Sequence, residues 1–350
     1  MFDFVRKTRA PRRRIPVPDD EKRSFLSRVH PRVLFAVVLL IVSMAIGFFL
    51  LKQRASWNGG DQIGFVVVFG DDSQVARPLA IVVANGADHK AIALSLPGTL
   101  EIEALHGYGS YKSSSLYGLA ALEKLPVSFV AQTLSMQFGI DAENVIWLPG
   151  NDINLSSQRL SNAFFSSTML RTGSTFGLID RYRLWRFFSG LRKDQFSVVD
   201  LASSSVLKPS EQPGAPGQAT ADPTLQQLDP IKLDPLVFQL FSDDALRKEN
   251  TAVAIVNTTG ELRLGTRIAR ALSNMGVNVI SVTSTNDQLQ NSQLLGAEDN
   301  STKTRAATLI QHVLLLPNTQ LKKDPAQTLE NRSDLVLMLG KDIAQMYAGK

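Results

Sequence analysis

The sequence contains no cysteine, which excludes disulfides, thiol catalysis, iron–sulfur clusters and cysteine zinc sites. Histidine is scarce too: His30, His89, His106 and His312 are the only four, and none stands at a metal-ligand spacing from another. No metal and no other cofactor is therefore expected. Also missing are GxSxG, the P-loop, HExxH and a GxGxxG after a strand, so the common hydrolase, nucleotide-binding, zinc-protease and dinucleotide classes have no support. Basic charge is missing where a nucleic-acid groove would need it. The net +5 comes from residues 1–54, which hold twelve Lys or Arg against four Asp or Glu. Downstream stand 25 bases and 28 acids, so the larger region is mildly acidic and nucleic acid is not an expected partner.

What is present begins with an uncharged run, VLFAVVLLIVSMAIGFFLL from Val33 to Leu51. As a helix rising ~1.5 Å per residue it matches the thickness of a bilayer's hydrocarbon core. A cleaved signal peptide has a shorter apolar stretch and a small-residue cleavage site, whereas RASWNGG follows here, so an uncleaved anchor is predicted. Ten Lys or Arg precede the run, and only Lys52 and Arg54 closely follow it. The positive-inside rule then keeps the N-terminus in the cytoplasm and sets the remainder outside, a single-pass protein of the plasma membrane. The tail 1–32, rich in arginine and proline, has no apolar face to bury.

Beyond a short spacer, IGFVVVFG, PLAIVVAN and AIALSLP (63–70, 78–85, 91–97) read as three neighbouring strands. Helical periodicity runs through 116–138, NVIWLPG at 144–150 reads as a strand, and RYRLWRFFSGLRK at 181–193 as an amphipathic helix. Ser, Pro, Gly and Gln then dominate, and a linker is predicted over 202–249. After it, a strand at 250–260, a helix at 261–276 and a strand at 277–285 form a βαβ unit. A helix at about 302–315 and a strand at 335–339 follow. The expected architecture is α/β: tail 1–32, transmembrane helix 33–51, an α/β/α domain 55–201, linker 202–249 and a small α/β domain 250–345.

The run VAIVNTTGELRLGTRIARALSNMGVNVISV, with SDLVLMLGKD from Ser333 to Asp342, resembles the LytR cell-envelope-related C-terminal domain of LytR-CpsA-Psr proteins. In that family a strand enters an Asn-Gly-Thr turn, then a helix, then a Gly-Val strand, and the domain closes on Gly-x-Asp. Asn257 keeps the asparagine, and Thr258 replaces the glycine. The first domain resembles a degenerate LytR-CpsA-Psr domain. GDDS at 70–73 retains Gly70 and Asp72, and Tyr111 with Lys112 fits the lysine motif. RTGSTFGLIDRYR retains Arg171, Phe176, Gly177 and Arg181. Arg77 and Pro78 fall where the family has Asp-Thr, Gly98 follows Pro97 where it has arginine, and Leu178 replaces a further arginine.

That resemblance implies transfer of a glycopolymer phosphate from a polyprenyl pyrophosphate carrier to peptidoglycan. Such a transfer needs a divalent cation or several guanidinium groups to offset charge on the phosphoryl oxygens. Glycine in place of arginine removes a bidentate contact. One such loss costs on the order of several kcal/mol in the transition state. The expectation is a noncatalytic envelope protein that binds cell-wall glycopolymer or a polyprenyl-linked glycan, or that organises other envelope proteins. Asp72, Lys112, Arg171 and Arg181 are the candidate anionic-ligand residues. The alternative is a divergent phosphotransferase, and Mg²⁺ enters only there.

Overall fold

In the computed structural model the described residues are 35–40, 44, 57–70, 76–150, 153–170, 173–210, 224–298 and 300–348. The tail 1–32 and most of the apolar run 33–51 lie outside them. Residues 35–40 are helical, and among the described residues no helix is long and apolar enough to cross a membrane. Residues 1–54 and 55–350 divide into two units, and the account below concerns the second.

Strands β1 (Gln62–Phe69), β2 (Leu79–Asn85) and β3 (Lys90–Leu96) form where the β-branched runs predict, and they pair antiparallel in sequence. A short hairpin follows, β4 (Glu101–Ala104) with β5 (Gly109–Lys112). Helix α1 (Leu116–Leu122) and helix α2 (Ser128–Phe138) then share the predicted helical span. Pro126 stands between them, and proline restricts the residue before it from helix. Strand β6 (Asn144–Leu148) returns parallel to β1. Helices α3 (Ser157–Leu170) and α4 (Leu178–Gly190) pack along each other, and β7 (Phe196–Asp200) closes the sheet parallel to β3. The strand order is β6-β1-β2-β3-β7.

Alternation along β1 divides its side chains between two cores, because successive residues point to opposite faces. Phe65, Val67 and Phe69 face α3 and α4, where the Phe65 ring lies 5.5 Å from Phe164, 5.6 Å from Phe176 and 6.1 Å from Phe188. Val66 and Val68 face α1 and α2.

The predicted linker 202–249 is a point of difference. Within it, β8 (Leu207–Pro209) pairs with β9 (Gln226–Leu228), and two helices fill the remainder: α5 (Pro230–Phe241) and α6 (Asp244–Glu249). Physical signals for both were present. Asp229 accepts from Ile231 N at 3.1 Å and Asp243 from Ala245 N at 2.8 Å, each capping a helix start, and Pro230 takes the first helical position. Leu233, Val237 and Phe241 recur every four residues and are buried, so low-complexity sequence next door had masked an amphipathic helix.

The second sheet contains the expected βαβ unit: β10 (Ala252–Asn257), α7 (Leu264–Met275) and β11 (Asn278–Ser284), the strands parallel. Then come β12 (Gln293–Gly296), α8 (Arg305–Val313), β13 (Leu321–Lys323), α9 (Pro325–Asn331), β14 (Leu335–Leu339) and α10 (Lys341–Ala348). The strand order is β11-β10-β14-β12-β13, with β14 parallel to β10.

The two sheets share a core. Buried residues run without interruption from Val66 and Leu79 through Phe138 of α2, Val237 of α5 and Leu272 of α7 to Val253 and Leu335. The two halves approach closely at Gly139, whose φ of 68° ends α2. A Cβ there would stand 2.5 Å from Asn274 Cβ and 2.8 Å from Ala271 O of α7. Asn274 Nδ2 donates to Phe138 O at 3.3 Å and to Asp234 Oδ1 at 3.0 Å, and Arg270 Nε donates to both Asp234 oxygens at 2.8 and 2.9 Å.

Candidate functional site

Of the four residues singled out in sequence, Asp72 and Arg171 lie outside the described residues. Their described neighbours meet the same strand: Gly70 N donates to Leu148 O at 3.1 Å, and Trp147 N donates to Gly173 O at 2.9 Å, both on β6. Lys112 is half-buried at the end of β5, opposite Glu101. Arg181 stands in the first turn of α4 and is buried. Its guanidinium is bound to backbone on all sides: Nε donates to Phe176 O at 2.6 Å, Nη1 to Ser167 O at 2.8 Å and Nη2 to Ser174 O at 2.8 Å. Desolvation lowers its pKa, and the three carbonyls hold it in place of an anion.

Two of the three positions where charge departs from the resemblance, Arg77 and Gly98, come together at the carboxyl ends of β1 and β3. Arg77 is buried with its guanidinium 4.3 Å above the Tyr117 ring, and its N donates to Ser114 O at 2.7 Å. Ser114 Oγ donates in turn to Gly98 O at 2.9 Å, and Ser113 Oγ to Pro97 O at 2.6 Å. Tyr117 meets Trp147 edge-on at 6.3 Å. So the position where the family has an acid carries a buried cation, and it lies beside the glycine that stands for the family's arginine. Arg77 could not be found from sequence, because its significance comes from the β4–β5 hairpin and the 3₁₀ turn after it folding back over Pro97 and Gly98.

A second site lies between the amino end of the first sheet and α6 and α8. It is a groove of about 490 Å³ whose lining includes Asp61, Asp141, Glu143, Asp243, Arg305 and His312. Its charges are paired across the two halves. Arg305 Nε donates to Asp243 Oδ2 at 2.9 Å and Nη1 to Asp61 Oδ1 at 3.0 Å, and although burial opposes its charge these bonds raise its pKa. His312 Nδ1 lies 3.5 Å from Asp141 Oδ1 and Nε2 lies 2.9 Å from Glu143 Oε2. Hydrogen bonds to Asp141 and Glu143 push the imidazole up to about 10 against the cost of burial. The same pairing with His312 lowers Glu143. In sequence His312 reads as an isolated histidine, and its partners are far away along the chain. Among the described residues no group of acids and histidines is arranged to hold a metal ion.

In the second sheet the residues that carry the C-terminal resemblance build backbone geometry. Asn257 Oδ1 accepts from Thr259 N at 3.1 Å and Thr259 Oγ1 at 2.6 Å, while Nδ2 donates to Glu261 O at 2.9 Å. Thr258 Oγ1 donates to Leu339 O at 2.6 Å, tying the turn to the end of β14. Asn257, Thr258 and Thr259 thus form a buried turn. Gly340 is required by close approach, since a Cβ there would meet Asn291 C at 2.6 Å. Asp342 Oδ1 then accepts from Ser292 N at 2.9 Å, Ser292 Oγ at 2.6 Å and Ile343 N at 2.8 Å.

Comparison with known proteins agrees with that last segment. Residues 250–342 match the family described as LytR cell envelope-related transcriptional attenuator. No curated protein matches the chain in sequence. Among solved structures, the putative transcriptional regulator YwtF of Bacillus subtilis aligns at 15% identity over 54% of this chain and 93% of its own, with a TM-score of 0.36. A structure titled LytR-CPS2A-psr family protein YwtF (TagT) with bound octaprenyl pyrophosphate lipid aligns at 14% over 54% and 93%, TM-score 0.35. A transcriptional regulator of Enterococcus faecalis aligns at 10% over 51% and 86%, TM-score 0.35. At such TM-scores the overlap transfers neither a site nor an activity. The family similarity of this chain rests on residues 250–342, the segment that holds the β10–α7–β11 unit, its Asn257 turn and the Asp342 ending, and it is a similarity to the LytR cell envelope-related family.

Proposed function

We propose that the chain is a noncatalytic, membrane-anchored cell-envelope protein that binds cell-wall glycopolymer or its polyprenyl-linked precursor, or organises envelope partners, on the outer side of the plasma membrane. The observation that carries the noncatalytic part is Arg181. A guanidinium that donates to Phe176, Ser167 and Ser174 carbonyls is spent on holding the loop before α4, and it has little left to offer a pyrophosphate. Gly98 supplies no charge at a second position. The cell-envelope part is supported by the family match over 250–342, and the anchor by the uncharged run 33–51 with its preceding bases.

A second reading, a divergent phosphotransferase working with Mg²⁺, draws on Arg77, a buried cation at the Gly98 turn. The test is a titration of the full-length chain in detergent with a short-chain polyprenyl pyrophosphate, with and without Mg²⁺, following both binding and phosphate release. The proposal expects no turnover. Mg²⁺-dependent turnover that disappears in Asp72→Ala, Arg77→Ala or Arg171→Ala sinks it in favour of the enzyme.

A further inference from the structure

Helices α3 and α4 form the outer layer over one face of the first sheet, and large apolar side chains stand on their outward side. Met169 is 64% exposed, Leu170 71%, Phe165 44% and Tyr182 49%. Trp185, half-buried, joins the helices: its ring lies 5.4 Å from Phe165 and 5.5 Å from Tyr182. A core position would bury these rings, and a solvent face would not collect them.

Charge in this layer runs opposite to its surroundings. Residues 157–190 hold five arginines and one acid, the buried Asp180, inside a region where acids outnumber bases. Arg186 is exposed next to Trp185, and exposed Arg192 and Lys193 follow the helix. Tryptophan and tyrosine grouped with arginine over a sheet of apolar side chains is the composition that settles at a bilayer's headgroup level. Bases near an anionic surface there add electrostatic attraction.

In sequence, residues 52–56 alone separate Leu51 from Trp57. Trp57 is fastened to α4 itself. Its N donates to Asp180 Oδ1 at 3.1 Å, its carbonyl accepts from Arg183, and its ring meets Phe187 edge-on at 5.6 Å. The residue that opens this unit is therefore held by α4.

From these three observations we infer that the α3–α4 face lies on the anionic outer surface of the same membrane that holds the anchor. Phe165, Met169 and Leu170 enter the interface, Tyr182 and Trp185 sit at headgroup level, and Arg186 meets lipid phosphate. The unit is then held by two contacts, the anchor and this face, rather than swinging on a tether. The inference rests on the anchor proposed above.

The chain has three tryptophans; Trp57 is buried and Trp147 is half-buried against the core on the opposite face of the sheet, so the difference made by Trp185→Phe isolates the contact. Full-length protein is reconstituted into bilayers of phosphatidylglycerol and phosphatidylcholine with bromine-labelled acyl chains, and co-flotation with lipid is scored alongside quenching. The expected result is strong quenching that Trp185→Phe largely removes, that Arg186→Glu reduces, and that falls when phosphatidylcholine replaces all of the phosphatidylglycerol. Quenching unchanged in Trp185→Phe, absent although the protein floats with lipid, or indifferent to anionic lipid overturns the docked face while leaving the anchor in place. Failure to float with lipid overturns the anchor, and the docked face with it.

Discussion

His312 shows how much a single side chain depends on what the fold brings to it. Asp141 first and Glu143 second raise its pKa to about 10 from 6.5, so it is a cation through the neutral range. The sign follows from the direction of the shift. Its contribution to stability is fully present below about pH 6.5, declines as pH rises and is gone above about pH 10. At the acid end the pair loses its contribution again as pH falls through the lowered pKa of Glu143. With side chains 40% and 50% exposed, water screens the pair to about 1 kcal/mol. Denaturation midpoints compared at about pH 6 and about pH 10 are expected to fall in the native chain and to fall measurably less in His312→Gln. Arg181 gives a larger effect without a pH signature. Arg181→Met leaves three carbonyls short of a donor and is expected to cost about 2–4 kcal/mol in chemical denaturation. Arg181→Lys recovers only part of this, since an ammonium lacks the planar fork.

Helix α2 and helix α7 decide how the two sheets meet, and the decision is made where α2 ends. Gly139 occupies a left-handed conformation and leaves no room for a side chain against Ala271 and Asn274. Gly139→Ala combines backbone strain with a clash against α7, and a loss of about 2–4 kcal/mol is expected. If its denaturation midpoint matches that of the native chain, the helices do not cross as described. The same element scale explains α5 and α6, which a compositional reading absorbs into a linker. Their caps at Asp229 and Asp243 and the buried stripe of Leu233, Val237 and Phe241 are local signals, while proline, glycine and glutamine just before them set the average of any wide window.

At the scale of the whole molecule, the continuous core predicts cooperativity. Val66, Phe138, Val237, Leu272 and Leu335 belong to one buried cluster, and cutting the chain near residue 250 would expose the apolar side of α7. Calorimetry of residues 55–350 should therefore give one transition whose calorimetric and van't Hoff enthalpies agree. Two separated transitions would show that the sheets melt as independent domains.

Much of the local structure is determined by the sequence alone. Runs such as IGFVVVF and AVAIVN are rich in β-branched residues and read as strands, ELRLGTRIARALSNMG has a 3.6-residue apolar period, and the charge division at residue 54 needs only counting. The strand–turn–helix order around Asn257 belongs to this class, because side-chain bonds within five residues build that turn. Tertiary structure alone decided the rest. Arg77 over Tyr117, Arg181 among three carbonyls, His312 between Asp141 and Glu143, and Arg305 between Asp61 and Asp243 all depend on groups distant in sequence or on loops whose path is set by packing. A charged residue's role is fixed by its partners and its access to water, and no periodicity in the chain encodes either.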